Sequence, residues 1–429
     1  MKKLMDLLTT APRGTQDVLP ADSPKWRFVE QTALSAAEEY GFHEIRTPVF
    51  EHTQLFLRGV GETTDVVQKE MYTFEDKGNR SITLRPEGTA GAARCLLEHN
   101  LHTDALPVKV SYVTSCYRYE KPQAGRLREF HQFGVECFGT AAPAADAEAI
   151  LLAWQILQRL HITGVSLHIN SIGCPTCRAK YHEALRAYFA GHVDALCDTC
   201  RGRLERNPMR ILDCKSPVCQ GIAKDAPRML QYLCDDCAAH FEAVKQYLHT
   251  AGIPYEIDTG IVRGLDYYTR TVFEFVSDAL GAQAVVCGGG RYDGLIEELG
   301  GPSLPSLGFA MGIERLLLVM QAVGAPMPGP APCDVFLVSM GEQASLRCFA
   351  LASLLRGQGI RAAFDVVGRS LKAQMKYADK QGARLTLVIG DNELATGLAT
   401  CRDMKTGTQS SIALDDSFCA AVAQKLKEG

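Results

Sequence analysis

The sequence lacks the long apolar segments of a membrane protein and the leader of a secreted one. Its longest apolar run, residues 149–157, is interrupted by Gln155. A helix needs about 20 apolar residues to cross a bilayer. The N-terminal stretch is too short for a secretory signal and is interrupted by Asp6. We therefore expect a cytoplasmic protein that does not contact a membrane.

The sequence also lacks an excess of basic residues and the common phosphate-binding glycine motifs. It has 45 Lys and Arg residues against 49 Asp and Glu residues, so contacts with nucleic acid must come from local basic patches. No GxxxxGK[ST] motif occurs, and the glycine-rich residues 288–294 do not match GxGxxG, which excludes a P-loop site. With 429 residues, 46% of them apolar, the chain can form roughly two or three globular domains.

Residues 113–138 are predicted to form a β-hairpin. Two runs with the alternation of strands are joined by a loop that contains Pro and Gly, as is typical of hairpins. A loop that closes symmetrically places Arg118 opposite Arg128 and Cys116 opposite Phe130, and opposed residues share a face. The residues on this predicted face are Arg118, Glu120, Arg126, Arg128, Phe130, Gln132, Gly134 and Glu136.

The predicted face combines groups that suit an anion and a planar ring. Opposed arginines repel each other unless an anion lies between them, and Phe130 offers a flat apolar surface beside them. Gly134 leaves room for a ligand near the backbone, and Gln132 and Glu136 supply acceptors. We interpret the face as a binding site for an anionic ligand that carries a ring. The alternative is a solvated strand face with mixed charges.

The segment from Arg118 to Phe130 resembles the second signature motif of class II aminoacyl-tRNA synthetases, and its surroundings resemble the histidyl-tRNA synthetase family. The resemblance covers nearly the whole chain. It implies an α+β catalytic core with an antiparallel sheet, a small and mainly helical insertion, and a C-terminal α/β anticodon-binding domain. By this resemblance Arg118 binds the α-phosphate of ATP, Phe130 stacks under adenine, and the hairpin loop, with Lys121 and Gln123, contacts the acceptor end of tRNA.

Two further segments resemble the other class II motifs. A predicted helix capped by Ser23, with Pro24 at its first position, is followed by Pro48 and resembles the first motif, which implies a homodimer interface. Residues 307–315 resemble the third motif, and this match implies that Arg315 contacts the γ-phosphate. The resemblance thus assigns ATP binding to Arg118, Glu120, Arg126, Phe130 and Arg315.

Residues 262–268 carry the most family-specific resemblance, to the histidine-recognising peptide of these synthetases. The match implies that Arg263 neutralises the histidine carboxylate and the α-phosphate, and that Tyr267 and Tyr268 line the imidazole pocket. An imidazole ring needs one donor and one acceptor opposite its two nitrogens, and Glu136 with a tyrosine hydroxyl would supply them. The alternative is a tyrosine pair that packs at the edge of the core.

Residues 81–89 are predicted to form a strand that turns into a helix. The resemblance implies that Glu87 and Thr89 hold the α-amino group of histidine; the alternative is that Thr89 caps the helix of residues 90–97. The residues implied to bind histidine are Glu87, Thr89, Gln132, Glu136, Arg263, Tyr267 and Tyr268. The arginines implied to act in catalysis are Arg118, Arg263 and Arg315.

Eight of the sixteen cysteines lie close together in the middle of the chain. They form four pairs: Cys174 with Cys177, Cys197 with Cys200, Cys214 with Cys219, and Cys234 with Cys237. Spacings of this kind allow two thiolates to reach one tetrahedral zinc ion, which predicts one or two four-cysteine sites. The spacing leaves open which pairs share an ion, and reduced thiols on helix faces are the alternative.

The zinc prediction comes from the cysteines alone, because the better-known members of the family lack them. A structural Zn²⁺ would fold the insertion and take no part in catalysis.

The predicted domain order places the cysteines in an insertion within the catalytic core. The core comprises residues 1–170 and 253–323, the insertion residues 171–252, the linker residues 324–332, and the α/β domain residues 333–429. In the last domain Lys372 and Lys376 recur on one predicted helix face, where they could follow an RNA backbone or lie in solvent.

The resemblance as a whole implies a homodimeric histidine–tRNA ligase. Such an enzyme uses ATP with Mg²⁺ to convert L-histidine to histidyl-adenylate and transfers the histidyl group to the 3′ end of tRNA(His). A second hypothesis is a histidine-sensing regulatory subunit of ATP phosphoribosyltransferase, but such paralogues lack the tail domain and blur the ATP motifs. A third, a zinc-bound RNA-binding module, leaves the histidine pocket unexplained.

Overall fold

The computed structural model describes residues 9–61, 64–103, 105–283 and 285–428. The chain divides into two compact units, Met1–Gly329 and Pro330–Gly429, with the boundary inside the segment rich in Pro and Gly. Within the described ranges, no helix has both the length and the hydropathy needed to span a membrane.

The described residues of the first unit form eleven strands and ten α-helices. The strands are β1 (His43–Glu44), β2 (Phe50–His52), β3 (Tyr72–Glu75), β4 (Ser81–Leu84), β5 (Val108–Tyr117), β6 (Glu129–Phe138), β7 (Val165–Ser171), β8 (Glu256–Ile257), β9 (Thr269–Ser277), β10 (Val285–Arg291) and β11 (Ser306–Gly312). The helices are α1 (Ser23–Glu39), α2 (Thr53–Val60), α3 (Thr89–Glu98), α4 (Pro143–Arg159), α5 (Pro175–Ala190), α6 (Asp198–Arg206), α7 (Pro217–Ala223), α8 (Asp235–Thr250), α9 (Leu295–Glu298) and α10 (Ile313–Ala322).

An eight-stranded sheet forms the centre of the first unit, in the order β1-β5-β6-β11-β10-β9-β7-β8. All neighbours are antiparallel except the two outermost pairs, β1 with β5 and β7 with β8. The predicted hairpin register is confirmed, since Cys116 pairs with Phe130. The sheet therefore has the antiparallel core expected of a class II synthetase.

The two faces of this sheet have different roles because successive side chains of a strand point to opposite sides. On β6, Phe133 and Val135 are buried with α1, α4 and α10 in one hydrophobic core. Gln132, from the alternate set, lines a cavity on the opposite face. Burial of the helix-covered face thus fixes which side chains are presented to a ligand.

The segment around Pro48 forms two short strands, β1 and β2, in different sheets. β1 pairs with β5 in the large sheet, whereas β2 joins β4 and β3 in a three-stranded antiparallel sheet. Pro48 lies between them and has no backbone N–H to donate to a ladder, which explains the break.

Residues 172–255, between β7 and β8, form no strand and consist of α5, α6, α7, α8 and short 3-10 turns, including Pro208–Ile211. The last helix of this insertion also contributes to the main core, because Phe241, Val244 and Leu248 of α8 are buried against α4. The mainly helical insertion expected from the sequence is present.

The second unit is an α/β domain with a five-stranded sheet in the order β13-β12-β14-β15-β16. The first three strands in this order are parallel and the last two antiparallel. The elements are β12 (Val335–Ser339), α11 (Glu342–Gly357), β13 (Ala362–Phe364), α12 (Leu371–Lys380), β14 (Leu385–Ile389), α13 (Asp391–Thr396), β15 (Leu398–Asp403), β16 (Gln409–Ala413) and α14 (Phe418–Glu428). The α/β domain expected for residues 333–429 is therefore present, and Lys372 and Lys376 lie on a helix as predicted.

Candidate active site

Three arginines from distant parts of the chain line one cavity of about 290 Å³. Arg118 follows β5, Arg263 precedes β9, and Arg315 lies in the first turn of α10. Other residues from the predicted set that line the same cavity are Glu87, Thr89, Glu120, Arg126, Phe130, Gln132, Tyr267 and Tyr268. The cavity therefore brings together the groups predicted for ATP and those predicted for histidine.

Arg118 and Phe130 form one wall of the cavity. The guanidinium carbon of Arg118 lies 5.3 Å from the centre of the Phe130 ring, and its Nε donates to the carbonyl oxygen of Pro86 at 2.8 Å. Beside them, Arg126 forms an ion pair with Glu120. This wall presents a guanidinium group next to a half-buried aromatic ring, an arrangement that suits an anion attached to a planar ring.

Arg315 adds positive charge close to Arg126 and Arg118. Its Nη1 donates to the carbonyl oxygen of Val285 at 2.7 Å and its Nε to that of Gly125 at 3.2 Å. Burial lowers the pKa of Arg315, and the like charges of Arg126 and Arg118 lower it further. Guanidinium groups crowded in this way favour a polyanionic ligand, whose charge relieves their repulsion.

Two predictions about this face are wrong. Arg128 does not line the cavity; its guanidinium carbon lies 3.9 Å above the Tyr119 ring, and its side chain packs on Gly14. The strand ladder ends at Tyr117, so the alternation no longer governs where Arg128 points. Gly134 makes room for the ring of Tyr112 and not for a ligand, because a Cβ at Gly134 would overlap that ring.

Glu87 lies at the start of α3, where its carboxylate accepts hydrogen bonds from the backbone N–H groups of Thr89 at 2.9 Å and Ala90 at 2.8 Å. The helix-capping role considered for Thr89 thus belongs to Glu87. Burial raises the pKa of Glu87, and these backbone hydrogen bonds offset only part of the effect. Both residues nevertheless line the cavity, where their oxygens can meet an ammonium group.

Arg263 is held in the left-handed backbone region, with φ of 58°. Its Nη1 pairs with Glu274 of β9, and its guanidinium carbon lies 5.3 Å from the centre of the Tyr268 ring. Within the described residues its buried Nε has no hydrogen-bond partner. Gly288 allows this arrangement, because a Cβ there would overlap the guanidinium group.

Glu136 is buried behind the cavity and is not one of its lining residues. Tyr112 donates to one carboxylate oxygen at 2.8 Å, and the hydroxyl of Tyr292 hydrogen-bonds to the other. Burial raises the pKa of Glu136 to about 8, although hydrogen bonds from Tyr292, Thr89 and Tyr112 oppose the shift. A proton held at this position lets the group act as donor or acceptor near neutral pH.

Sequence reasoning missed Tyr112, Tyr292, Glu274 and Gly288. The signal for Tyr112 was present, because the predicted register pairs it with Gly134 and so places it on the same face as Glu136. Tyr292 and Gly288 belong to the glycine-rich segment whose pattern matched no known motif. Glu274 lies on β9, which follows the histidine-recognising peptide, and no motif in that strand indicated a role for it.

The residues predicted to contact tRNA are exposed. Lys121 and Gln123 lie in the hairpin loop, which Gln123 and Arg126 close through two backbone hydrogen bonds of 3.0 and 2.9 Å. In the second unit, Lys372 and Lys376 are exposed on α12. Each pair can therefore reach a macromolecular partner without rearrangement of its surroundings.

The eight paired cysteines form two clusters, and the structure settles which pairs belong together. Within each cluster the four sulfur atoms lie within 4.8 Å of one another. We call the set Cys174, Cys177, Cys234 and Cys237 the first thiol cluster. We call the set Cys197, Cys200, Cys214 and Cys219 the second thiol cluster.

Both clusters fit a tetrahedral metal ion. A Zn–S bond of about 2.3 Å implies sulfur–sulfur distances of about 3.8 Å. The Cys174 sulfur lies 3.5 Å from that of Cys177 and 4.0 Å from that of Cys234, and the Cys197 and Cys214 sulfurs lie 3.8 Å apart. All sixteen cysteines are free thiols.

The environment favours a thiolate at one cysteine of each cluster, Cys174 and Cys197, whereas burial raises the pKa of Cys177, Cys200, Cys214 and Cys237. Partial burial raises the pKa of Cys174, but hydrogen bonds from the backbone N–H of Cys177 and from neighbouring thiols outweigh it and lower the pKa to about 6. Hydrogen bonds from the backbone N–H of Cys200 and from the other thiols lower the pKa of Cys197 to about 7. Both residues directly precede a helix, whose N-terminus stabilises negative charge.

Comparisons with known proteins agree with this geometry. The sequence profile of the family described as "Histidyl-tRNA synthetase" matches residues 14–316, and that described as "Anticodon binding domain" matches residues 334–424. The histidine–tRNA ligase of Caldanaerobacter subterraneus subsp. tengcongensis is 53% identical over 410 residues, which cover 96% of this chain and 98% of that protein. The histidine–tRNA ligase of Halothermothrix orenii is 54% identical over 404 residues, covering 94% of this chain and 96% of that protein.

Solved structures give the same result. The crystal structure of apo S. aureus histidyl-tRNA synthetase matches with a TM-score of 0.83 and 41% identity, covering 98% of this chain and 100% of that one. The match extends over both units. The chain therefore belongs to the histidyl-tRNA synthetase family.

Proposed function

We propose that this protein is a histidine–tRNA ligase. It activates L-histidine with ATP and Mg²⁺ to form histidyl-adenylate and pyrophosphate, and then transfers the histidyl group to the 3′ end of tRNA(His). The observation that carries the proposal is the convergence of Arg118, Arg263 and Arg315 on one cavity. Identity above 50% to curated histidine–tRNA ligases over nearly the whole chain favours this function over a regulatory subunit.

The chemistry requires alignment and charge neutralisation and does not require a nucleophilic side chain. The carboxylate of histidine attacks the α-phosphate of ATP, so the nucleophile comes with the substrate. The protein has to hold the two reactants together and stabilise the charge that develops on the phosphate. In the proposed arrangement Arg118 and Arg263 serve the α-phosphate and Arg315 the γ-phosphate.

ATP binding would also use the ring and the ion pair near Arg118. Phe130 offers a face on which adenine can stack, and Glu120 and Arg126 lie along the same wall. Mg²⁺ would enter as part of the nucleotide substrate.

Histidine binding would use the opposite part of the cavity. Glu87 and Thr89 would hold the α-amino group and Arg263 the carboxylate. Tyr267, Tyr268 and Gln132 would surround the imidazole ring. Glu136 would act from behind the wall, since it is buried among tyrosine hydroxyls and can exchange a proton near pH 8.

Partners and location follow from the same function. The exposed Lys121 and Gln123 would contact the acceptor end of tRNA(His), and Lys372 and Lys376 its anticodon arm. We further propose a homodimer, because the chain carries the segment that resembles the first class II motif. A cytoplasmic location is proposed because charged tRNA is used where proteins are synthesised.

We also propose that each thiol cluster binds one Zn²⁺. The four cysteines of each cluster would be the complete ligand set, as in closed structural sites. The ion would neutralise the thiolates and join helices that are distant in sequence, and it would not take part in the reaction.

Pyrophosphate exchange with each of the twenty amino acids tests the proposed function. We expect exchange only with histidine, followed by charging of one tRNA species when total tRNA is supplied. Histidine binding without exchange would instead support a sensor, and no histidine binding at all would refute both functions.

A further inference from the structure

The histidine-recognising peptide, residues 262–268, forms neither a strand nor a helix. Two arginines of the insertion hydrogen-bond to it. Arg178 Nη1 donates to the carbonyl oxygen of Tyr268 at 3.1 Å. Arg210 Nη2 donates to the carbonyl oxygen of Gly264 at 2.8 Å and to the carboxylate of Asp266 at 2.9 Å. Side chains from outside the peptide therefore fix its backbone at both ends.

The peptide needs such support because the backbone is strained within it, at Arg263, and just beyond its end, at Arg270. Arg263 has φ of 58° and Arg270 has φ of 49°, values that residues other than glycine rarely adopt. Conformations of this kind persist only where the surroundings hold them. The Arg270 N–H donates to the carbonyl oxygen of Gly173 at 2.9 Å, so the insertion supports this second strained residue as well.

The first thiol cluster is joined directly to one of these supports. Gly173 precedes Cys174, and Arg178 follows Cys177 in α5. The turn that carries the first cysteine pair therefore also carries the contacts to Tyr268 and Arg270. Movement of this turn would move both contacts.

The second thiol cluster supports Arg210. The turn Pro208–Ile211 lies between α6, which begins after Cys197, and Cys214. Arg203 of α6 donates to the carbonyl oxygen of Arg210 at 3.1 Å. Met209 and Ile211, on either side of Arg210, are buried in the same hydrophobic cluster as the cysteines.

We propose that the two thiol clusters, when they hold zinc, position the histidine-recognising peptide through Arg178 and Arg210. The metal content of the insertion then sets the affinity for histidine, although none of the eight cluster thiols, all of which are described, lines the cavity. The inference rests on the proposed function, and it makes Arg178 and Arg210 positioning residues, since neither lines the cavity.

The first test separates positioning from folding with substitutions outside the clusters. Arg210→Ala and Arg178→Ala should each raise the Kd for histidine about 10-fold, because each removes charge-assisted hydrogen bonds. The Kd for ATP and the zinc content should not change. Arg210→Lys should restore part of the affinity. Arg206→Ala and Lys180→Ala, at exposed positions on α6 and α5, are matched controls that should leave both Kd values unchanged.

The second test asks whether a cluster acts through its arginine. Cys200→Ser should remove one zinc ion of two per chain, measured by elemental analysis, and raise the Kd for histidine. In the Arg210→Ala background the same substitution should change the Kd for histidine little further, because the hydrogen bonds between Arg210 and the peptide are already absent. If Cys200→Ser does not fold, stepwise removal of zinc with a chelator from both the wild-type and the Arg210→Ala proteins provides the comparison.

Three results would overturn the inference: no zinc in the wild-type protein, unchanged histidine affinity in zinc-replete Arg210→Ala and Arg178→Ala, or full additivity of Cys200→Ser with Arg210→Ala. Failure of the proposed function would be recognised separately. In that case the wild-type protein itself would show no histidine-dependent pyrophosphate exchange.

Discussion

The cavity and the cysteine-bearing insertion hold their functional groups by different means. In the cavity, side chains such as Gln132 are held by strands that pair over long ladders. The ladder between β6 and β11, for example, extends from the pair Phe138–Ser306 to the pair Gln132–Gly312. Residues 172–255, all described, contain no strand, and α6 and α7 have only nine and seven residues. Helices so short have little stability of their own in water.

The difference shows in how each region treats buried polar groups. Behind the cavity wall, the buried carboxylate of Glu136 is hydrogen-bonded to the hydroxyl groups of Tyr112 and Tyr292. Side chains of the protein thus compensate for its loss of hydration. In each thiol cluster four sulfur atoms lie within 4.8 Å of one another, and ionised thiols at such distances repel. The buried carboxylate of Glu136 is therefore satisfied without a ligand, whereas the proposed cation would relieve the repulsion within each thiol cluster.

The largest effect that separates the two regions is expected from Arg263→Ala. Loss of one charge-stabilising group in a synthetase site should lower the rate of histidine-dependent pyrophosphate exchange about 10²- to 10³-fold. Histidine binding should weaken less than turnover, because the arginine contributes most once charge develops on the phosphate. Steady-state exchange kinetics and calorimetric titration with histidine measure the two effects.

The zinc content of Arg263→Ala should equal that of the wild-type protein, since the substitution leaves the thiol clusters intact. An unchanged exchange rate would refute the role of Arg263. A loss of zinc would show that Arg263 also supports the thiol clusters.

The next largest effect is expected from Cys200→Ser, measured as thermal stability. Loss of one zinc site should lower the Tm of the unit that contains the insertion by about 5 to 10 °C, from a change of a few kcal/mol. Cys95→Ser is the matched control, because Cys95 is a half-buried thiol in α3 outside both clusters. Equal Tm values for the two variants would contradict a metal in the second thiol cluster.

Much of the cavity could be predicted from the sequence because alternate side chains of a strand lie on the same face of the sheet. The pairing of Cys116 with Phe130 follows from a symmetrical loop, and it orders the side chains of β6 on two faces. The resemblance to the histidine-recognising peptide then identified Arg263, and the resemblance to the third class II motif identified Arg315; alternation alone could not connect either residue to the hairpin. The prediction failed at Arg128, where the ladder ends and the alternation with it.

What could not be predicted depends on contacts between segments that are far apart in sequence. The pairing of cysteines into two clusters requires the path of the insertion, which brings Cys174 to Cys234 across sixty residues. The two tyrosines that hold Glu136 come from β5 and from the residue after β10, and only the assembled sheet brings them together. Short spacing patterns carry no information about such distant partners.

A smaller effect is expected from Glu136→Gln. The pH dependence of its Tm tests whether Glu136 is protonated in the ligand-free protein. The pKa of Glu136 is raised from 4.5 to about 8, so the folded protein holds a proton that the unfolded chain releases between these values. Its favourable contribution is fully present below pH 4.5 and is lost as the pH rises through about 8. The Tm of ligand-free Glu136→Gln, relative to wild type, should therefore increase as the pH is raised from 5 to 8.5.

Glu129→Gln is the matched control, because Glu129 lies on the same strand and is only half-buried. It should show no such pH-dependent difference. If the Tm of Glu136→Gln shows the same pH dependence as that of Glu129→Gln, Glu136 is ionised in the folded protein. The tyrosine hydroxyls alone would then not satisfy its buried carboxylate, and a cationic ligand would be needed.

The smallest effect is expected from Lys372→Ala and Lys376→Ala in the second unit, outside both regions compared above. Both lysines are exposed on α12. Each should weaken tRNA binding modestly and reduce the slope of log affinity against log salt by about 0.7, the value for one contact with a single strand. Pyrophosphate exchange, which does not use tRNA, and zinc content should be unaffected. Lys405→Ala, at an exposed turn between β15 and β16, is the control that should leave the slope unchanged. If all three variants gave the wild-type slope, the α12 lysines would be a solvated face and tRNA would be held elsewhere.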